Sequence, residues 1–131
     1  MNIIKSFKVA STLAAYRIVC HSTSAAMTVK YPSAAASTKA YVGITTDTVL
    51  DTVNAIPVCI AGIAKLYFND SCTVGAVVAA DTSGRGVART AFGVTTTGIS
   101  VTTAYIGILV DATVQATGTI ANVLVMPGFE R

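Results

Sequence analysis

The sequence has little charge, a single histidine and no tryptophan. Charged residues make up 11% of its 131 residues, whereas an ordinary soluble domain has about 25%. A surface with so little charge is either covered by neutral polar side chains or buried against partner molecules. The net charge is +3, and the basic residues do not form the continuous stripe that is typical of nucleic-acid-binding proteins. We therefore expect no role in nucleic-acid binding.

Long uninterrupted apolar runs are also absent, although hydrophobic residues make up 53% of the chain. The longest apolar segments, at residues 55–64 and 74–80, are interrupted by proline or glycine, and a membrane-spanning helix needs about 20 apolar residues. The N-terminal residues resemble a secretory signal only in part, because Arg17 interrupts their apolar run. We expect no membrane span, no targeting segment and a cytoplasmic product.

Few residues are suited to catalysis or metal binding. Cys20, Cys59 and Cys72 have long, unequal spacings, which predict buried free thiols rather than disulfides or a zinc site. His21 is the only histidine, and in a strand its side chain points away from that of Cys20. The Asp-Thr-Ser-Gly sequence at 81–84 differs from an aspartic-protease loop by one serine and has no second copy, so it predicts a hairpin turn. We expect a protein that is not an enzyme, with no catalytic residue, metal or cofactor.

Short segments rich in Val, Ile, Thr and Tyr alternate with Gly, Asn, Asp and Pro along most of the chain. This pattern predicts an all-β fold, a small antiparallel barrel or sandwich. Helical spacing is confined to Thr48–Ala55, so we expect at most one short helix. The predicted strands are Tyr16–His21, Thr28–Tyr31, Tyr41–Thr45, Ile56–Tyr67, Val77–Ala80, Val87–Ala91, Ile99–Val101, Tyr105–Leu109 and Ile120–Met126.

An internal repeat indicates two related β units. The sequence AYVGITTD at 40–47 recurs as AYIGILVD at 104–111. Gly43 and Gly107 lie inside the repeated strands, where a glycine predicts a bulge or a close backbone approach. We interpret residues 16–131 as a single β domain whose two units span about 40–64 and 104–127.

Residues 1–15 have no turn that ties them to this domain, and we interpret them as an extended N-terminal arm. Apolar residues and one lysine would share a face of this arm if it were a strand. Two alternatives remain open: the arm adds to a sheet edge of a partner, or it forms an edge strand of its own domain. The shared face has Ile3, Lys5, Phe7 and Val9. The candidate contact residues of the arm are Ile3, Ile4, Lys5, Phe7 and Val9.

Several short motifs occur in an order and spacing that resemble one family, the capsid cement (head decoration) proteins of tailed phages and prophages. The resemblance extends over nearly the whole chain. The sequence departs from the family pattern at Gly75 and Gly118, where family members tend to have an acidic residue next, and we assign no function to those turns. The motifs are AYRIV at 15–19, YVGI at 41–44, VCIAGIA at 58–64, VG at 74–75, AAD at 79–81 with Gly84, YIGI at 105–108 and VLVMPG at 123–128.

The resemblance implies a structural protein on the outer capsid surface of the virion, which binds the major capsid protein and stabilises the expanded head. It also implies a homo-oligomer, with a trimer at local threefold positions favoured over a dimer. On this interpretation the N-terminal arm is a candidate contact with the capsid. The alternative is a tail or host-surface binding β module of a phage particle.

Overall fold

The structure, a computed structural model, describes residues 2–22, 26–32, 41–47, 55–88, 103–111, 114 and 117–130. These residues form nine β-strands and no helix. The all-β prediction is therefore confirmed. The strands are β1 (Ile3–Val9), β2 (Ile18–His21), β3 (Thr28–Lys30), β4 (Tyr41–Thr45), β5 (Ile56–Tyr67), β6 (Val77–Ala80), β7 (Gly86–Ala88), β8 (Thr103–Leu109) and β9 (Ile120–Glu130).

The first five strands close into a small barrel in the order β1-β3-β2-β4-β5, and β5 pairs back to β1. The β1–β3 pair is parallel, and the other pairs of the barrel are antiparallel. Closure leaves no free edge along the paired parts of these strands, which removes a common cause of aggregation. The prediction of a small, largely antiparallel barrel is thus met by this half of the molecule.

The long strand β5 belongs to both halves of the fold. Its first half pairs with β1 and β4, and its second half, from Gly62 to Tyr67, pairs with β9. A second antiparallel sheet then continues in the order β5-β9-β8-β6-β7. This sheet curls back on itself, because Phe68, directly after β5, forms an isolated bridge with Gly86 of β7.

Two hydrophobic cores correspond to these two halves. The barrel core fills the barrel interior with Val9, Leu13, Val19, Val29, Ile56 and Val58. The inter-sheet core lies between the barrel wall and the second sheet and includes Ile44, Leu66, Phe68, Ile106 and Leu109. Strand β2 contributes to both cores, which explains why three successive residues, Ile18–Cys20, are all buried.

Most predicted strands coincide with observed ones to within a few residues. The predicted start at Tyr16 is wrong, because Tyr16 has a backbone φ of 62° and β2 begins at Ile18. The sequence left open whether residues 1–15 add to a partner's sheet or form a strand of their own domain. In the structure, Ile3–Val9 of this segment form β1, a strand of the barrel. The predicted strand Ile99–Val101 lies outside the described residues, and so does the predicted helical turn Thr48–Ala55 except for Ala55.

The two repeat segments form strands with equivalent pairing in different halves of the fold. β4 pairs antiparallel with β5, and β8 pairs antiparallel with β9. A Cβ atom at Gly43 would overlap the carbonyl oxygen of Cys59, and one at Gly107 would overlap that of Leu124. The close backbone approach predicted for both glycines is therefore present.

Candidate functional site

The N-terminal residues singled out from the sequence lie in β1 and do not share one surface. The strand pairs with β5 from Ile3 opposite Ala61 to Phe7 opposite Ile56, with an irregularity between Ile3 and Ile4. Val9 is buried in the barrel core, and Phe7 packs against it. Ile3 and Ile4 are 47% and 50% exposed, and Lys5 is exposed as well. The last residues of β1 therefore pack in or against the barrel core, and the side chains of its first residues are exposed to solvent.

Asn2 extends this pairing beyond the end of β1. Its amide nitrogen Nδ2 donates to the carbonyl oxygen of Ile63 at 2.8 Å, and its Oδ1 accepts from the Ile63 N–H at 2.9 Å. Gly62 makes the approach possible, since it has a φ of +111° and a Cβ there would collide with Asn2. The start of β1 is therefore fastened to β5 at Ile63.

An apolar row crosses the outer face of the second sheet. Its members lie directly opposite one another on adjacent strands: Ile63 opposite Leu124, Leu124 opposite Ile108, and Ile108 opposite Val77. Residues in such register project from the same face of a sheet. Ile63 is 51% and Leu124 36% exposed, whereas Ile108 and Val77 are partly buried. This surface is apolar although it faces outward, which is a common property of surfaces that bind other proteins.

The sequence analysis missed the apolar row. Its members come from four strands, and register, which the sequence does not give, brings them together. The available signal was the run at 123–126, where consecutive apolar residues occupy both faces of β9. A half-buried antiparallel strand normally alternates apolar and polar residues, so such a run indicates an apolar outer face.

A pocket of about 300 Å³ lies beside the apolar row, and polar and apolar groups contribute equally to its lining. Lys65 and Asn122 lie opposite each other on β5 and β9, one step along the same face from Ile63 and Leu124. Asp111 follows β8, and its Oδ2 accepts hydrogen bonds from the backbone N–H and the side-chain Nδ2 of Asn122 at 3.2 and 3.0 Å. The lining is completed by Tyr16, Ile120 and Ala121.

Tyr16 is held in this pocket in a strained backbone conformation. A bulky residue rarely adopts a positive φ, and here φ is 62°. The Tyr16 N–H donates to the Thr45 carbonyl oxygen at 2.8 Å, and the Tyr16 carbonyl oxygen accepts from the Tyr67 N–H at 2.9 Å. The buried Thr45 hydroxyl also donates to the carbonyl oxygen of Ala14 at 2.7 Å and accepts from the N–H of Arg17 at 3.0 Å. Bonds on both sides of Tyr16 thus fix the strained residue.

Arg17 fastens the same segment to β5 and to the turn after β6. Its guanidinium carbon lies 4.5 Å from the centroid of the Tyr67 ring, a cation–π contact. Its Nη1 donates to the carbonyl oxygen of Ser83 at 3.4 Å.

The residues considered for catalysis from the sequence have structural partners in this molecule. Asp81 Oδ1 accepts from the N–H groups of Ser83 and Arg85, both at 2.9 Å, and its Oδ2 forms an ion pair with Arg85 Nε at 2.8 Å. Gly84 has a φ of +75°, so the predicted hairpin turn is confirmed. His21 Nδ1 lies 2.6 Å from the Ser22 carbonyl oxygen, and the His21 side chain is exposed while Cys20 is buried. All three cysteines are buried thiols outside any disulfide, as predicted.

Within the described ranges, no group of three or more His, Cys, Asp or Glu side chains is placed so that it could hold a metal ion. The same ranges contain no helix of sufficient length and apolar character to cross a membrane.

Comparison with known proteins gives a structural likeness without a sequence family. No family model matches the chain, and no curated protein matches it. The fold is similar to the crystal structure of the head fiber gp8.5 N base in bacteriophage phi29, with a TM-score of 0.64 and 15% sequence identity. The likeness covers 96% of this chain and 95% of the phi29 chain, so it includes both the barrel and the second sheet.

Proposed function

We propose that this chain is a non-enzymatic structural protein of a tailed-phage head, a cement or decoration protein that binds the outer surface of the shell and stabilises the expanded head. The observation that carries the proposal is the end-to-end likeness to a base domain of a phage head fiber. The family resemblance of the sequence motifs supports the same class of particle independently. The partner on this proposal is the major capsid protein, and the protein is located on the virion.

The apolar row, together with Ile3 and Ile4, supplies a surface for that contact. Exposed aliphatic side chains on adjacent strands give a contiguous apolar face, and burying the half of each side chain that is still exposed contributes about 1 kcal/mol. Of the five N-terminal candidates, Ile3, Ile4 and Lys5 are available on the surface, whereas Phe7 and Val9 are held in or against the barrel core. The low charge of the chain suits a molecule with flanks covered by neighbours.

On this proposal, the protein acts as a homotrimer at local threefold positions of the shell. A dimer that bridges twofold positions is the alternative. Several modest contacts made at once by a symmetric oligomer raise the avidity far above the affinity of one contact. Light scattering coupled to size-exclusion chromatography tests the oligomer. A mass of three chains supports the threefold arrangement, and a monomer contradicts it.

Binding to undecorated heads of the phage that encodes the chain tests the proposal directly. Wild-type protein should sediment with such heads and raise the temperature at which they release DNA. The variants Ile63→Asp and Leu124→Asp should bind at least tenfold more weakly, which corresponds to about 1.4 kcal/mol. Val74→Asp is the matched control, since Val74 is 53% exposed but lies in the turn before β6, outside the apolar row.

Two outcomes would contradict the proposal. Wild-type protein that neither binds heads nor changes their heat resistance would exclude a cement role. Electron microscopy of virions carrying labelled protein would instead favour the tail or host-surface alternative if the label lay on the tail.

A further inference from the structure

We propose that the pocket between Tyr16 and Asn122 is a binding site for a neutral saccharide unit, such as a hexose of a cell-surface glycan. The pocket has a volume of about 300 Å³, which lies in the range of small-ligand sites in proteins and accommodates one pyranose ring. It opens on the outer face of the second sheet, beside the apolar row. The pocket lies on the same face as the apolar row, so the shell would have to leave this part of the face open, and the inference does not rest on the shell contact.

The polar lining matches the hydrogen-bonding character of sugar hydroxyls. Asp111 offers carboxylate oxygens that only accept, Lys65 offers an ammonium that only donates, and the amide of Asn122 can do both. A hydroxyl group donates and accepts at once, so neighbouring hydroxyls on one ring can satisfy all three side chains. Register places Lys65 directly opposite Asn122, and Asp111 bonds to Asn122, so the three groups converge on one place.

Two polar groups of the lining, Asp111 and Asn122, are fixed before any ligand arrives. Two hydrogen bonds from Asn122 to Asp111 Oδ2 set the orientation of both the carboxylate and the amide. Rigid polar groups lose little conformational entropy on binding, which favours affinity for a small ligand. The Asn122 side chain in particular cannot rotate freely while its Nδ2 remains bonded to Asp111.

Tyr16 supplies the apolar wall that a sugar ring needs. The C–H face of a pyranose packs against an aromatic ring, and tyrosine combines such a face with a polar tip. The positive φ of Tyr16 is the kind of backbone strain that is concentrated at binding sites and that the surrounding structure has to maintain. Hydrogen bonds to Thr45 and Tyr67 maintain it here.

The charges of the pocket favour a neutral ligand over an anion. The lining has one carboxylate, that of Asp111, and one ammonium, that of Lys65, so its formal charge sums to zero. A phosphate or nucleotide would meet the Asp111 carboxylate, which repels it. A peptide would find hydrogen-bonding groups but no continuous strand edge in this pocket, so a saccharide is the better fit.

A glycan array probed with the isolated, labelled protein tests the inference without any phage head. Wild-type protein should bind hexose-containing oligosaccharides, and titration followed by NMR should shift the signals of Lys65 and Asn122. Lys65→Met and Tyr16→Asn should each weaken the binding at least tenfold. Lys5→Met is the control, because Lys5 is an exposed lysine on β1, away from the pocket, and it should bind like wild type.

The same experiment can overturn the inference. Absence of binding to every glycan on the array, binding to inorganic phosphate or to peptides instead, or equal binding by Lys65→Met would each contradict it. Asparagine tolerates a positive φ better than tyrosine, so Tyr16→Asn should keep the melting temperature of wild type, and circular dichroism establishes this. Since no heads are present, failure here leaves the cement role untouched, and failure to bind heads leaves the saccharide site untouched.

Discussion

The phenolic oxygen of Tyr41 accepts a hydrogen bond from the backbone N–H of Ala80 at 3.2 Å. Tyr41 is in β4 of the barrel and Ala80 is in β6 of the second sheet, and both are buried. The bond therefore joins the two halves of the molecule and satisfies a backbone donor that water cannot reach.

Removing this hydroxyl should destabilise the fold without altering its shape. In Tyr41→Phe the Ala80 N–H loses its partner, and the free energy of unfolding should fall by about 1–3 kcal/mol, measured by urea denaturation. Tyr105→Phe removes a hydroxyl from a half-buried tyrosine elsewhere and should change stability by about 0.5 kcal/mol or less. Equal stability of Tyr41→Phe and wild type would show that the bond contributes nothing.

Alkaline pH should destabilise the protein because buried acids retain their protons in the folded state. Burial raises the pKa of Tyr41 above its ordinary 10.0 and the pKa of Cys59 and Cys72 above their ordinary 9.0. Above pH 9 the unfolded chain loses protons that the folded chain keeps, so ionisation favours unfolding. Stability should be complete below pH 9 and should fall as the pH rises further.

Melting temperatures between pH 8 and 11 measure this effect. The double variant Tyr41→Phe, Cys59→Ala should start from a lower melting temperature and show a shallower decline with pH. A wild-type melting temperature that stays constant up to pH 11 would contradict the proposed linkage.

Alanine at either repeat glycine should be poorly tolerated. The Cβ atom of Gly107→Ala would meet the backbone carbonyl of Leu124, and that of Gly43→Ala the carbonyl of Cys59, and a backbone cannot move aside as a side chain can. We expect a loss of about 3 kcal/mol or more in each case. Gly75→Ala is the comparison, because no atom lies near its Cβ position and only the backbone strain of φ +83° remains, about 1–2 kcal/mol. Thermal melts in which all three variants behave alike would refute the steric argument.

Deletion of residues 1–9 should unfold the barrel or lower its melting temperature by 10 °C or more, about 3 kcal/mol of stability. The deletion removes the strand that closes the barrel, and Val9 with it. The control is the double variant Ile3→Ser, Ile4→Ser, which changes exposed side chains and keeps the strand pairing with β5. A deletion variant that melts like the full chain would mean that β1 does not belong to the domain in solution.

The strands were predictable because local sequence determines them. β5 and β4 reproduce the predicted ranges Ile56–Tyr67 and Tyr41–Thr45, since β-branched residues bounded by turn residues specify a strand with little help from the rest of the chain. The close backbone approach at Gly43 and Gly107 was also predictable, because a glycine inside a strand pattern is a local signal. Tyr16 was misassigned because its tyrosine favours a strand, whereas hydrogen bonds from distant Thr45 and Tyr67 impose a positive φ.

The candidate sites were not predictable, because they depend on register. Lys65 and Asn122 are far apart in sequence and become neighbours only when β5 and β9 pair in one particular alignment. A shift of one residue would turn either side chain to the opposite face. The apolar row has the same origin, and the alternation of a single strand gives no information about which strand lies beside it.

Strand β5 is shared by the two halves of the molecule and couples their stability. One continuous stretch of backbone bonds to β1 and β4 in its first half and to β9 in its second half, so each half of the fold is built on a strand that the other half also holds in place. The amide hydrogens of β5 should consequently exchange with solvent only through global unfolding. A load applied to the second sheet would pass along covalent backbone into the barrel, so tension is transmitted through the molecule without depending on a weak interface between domains.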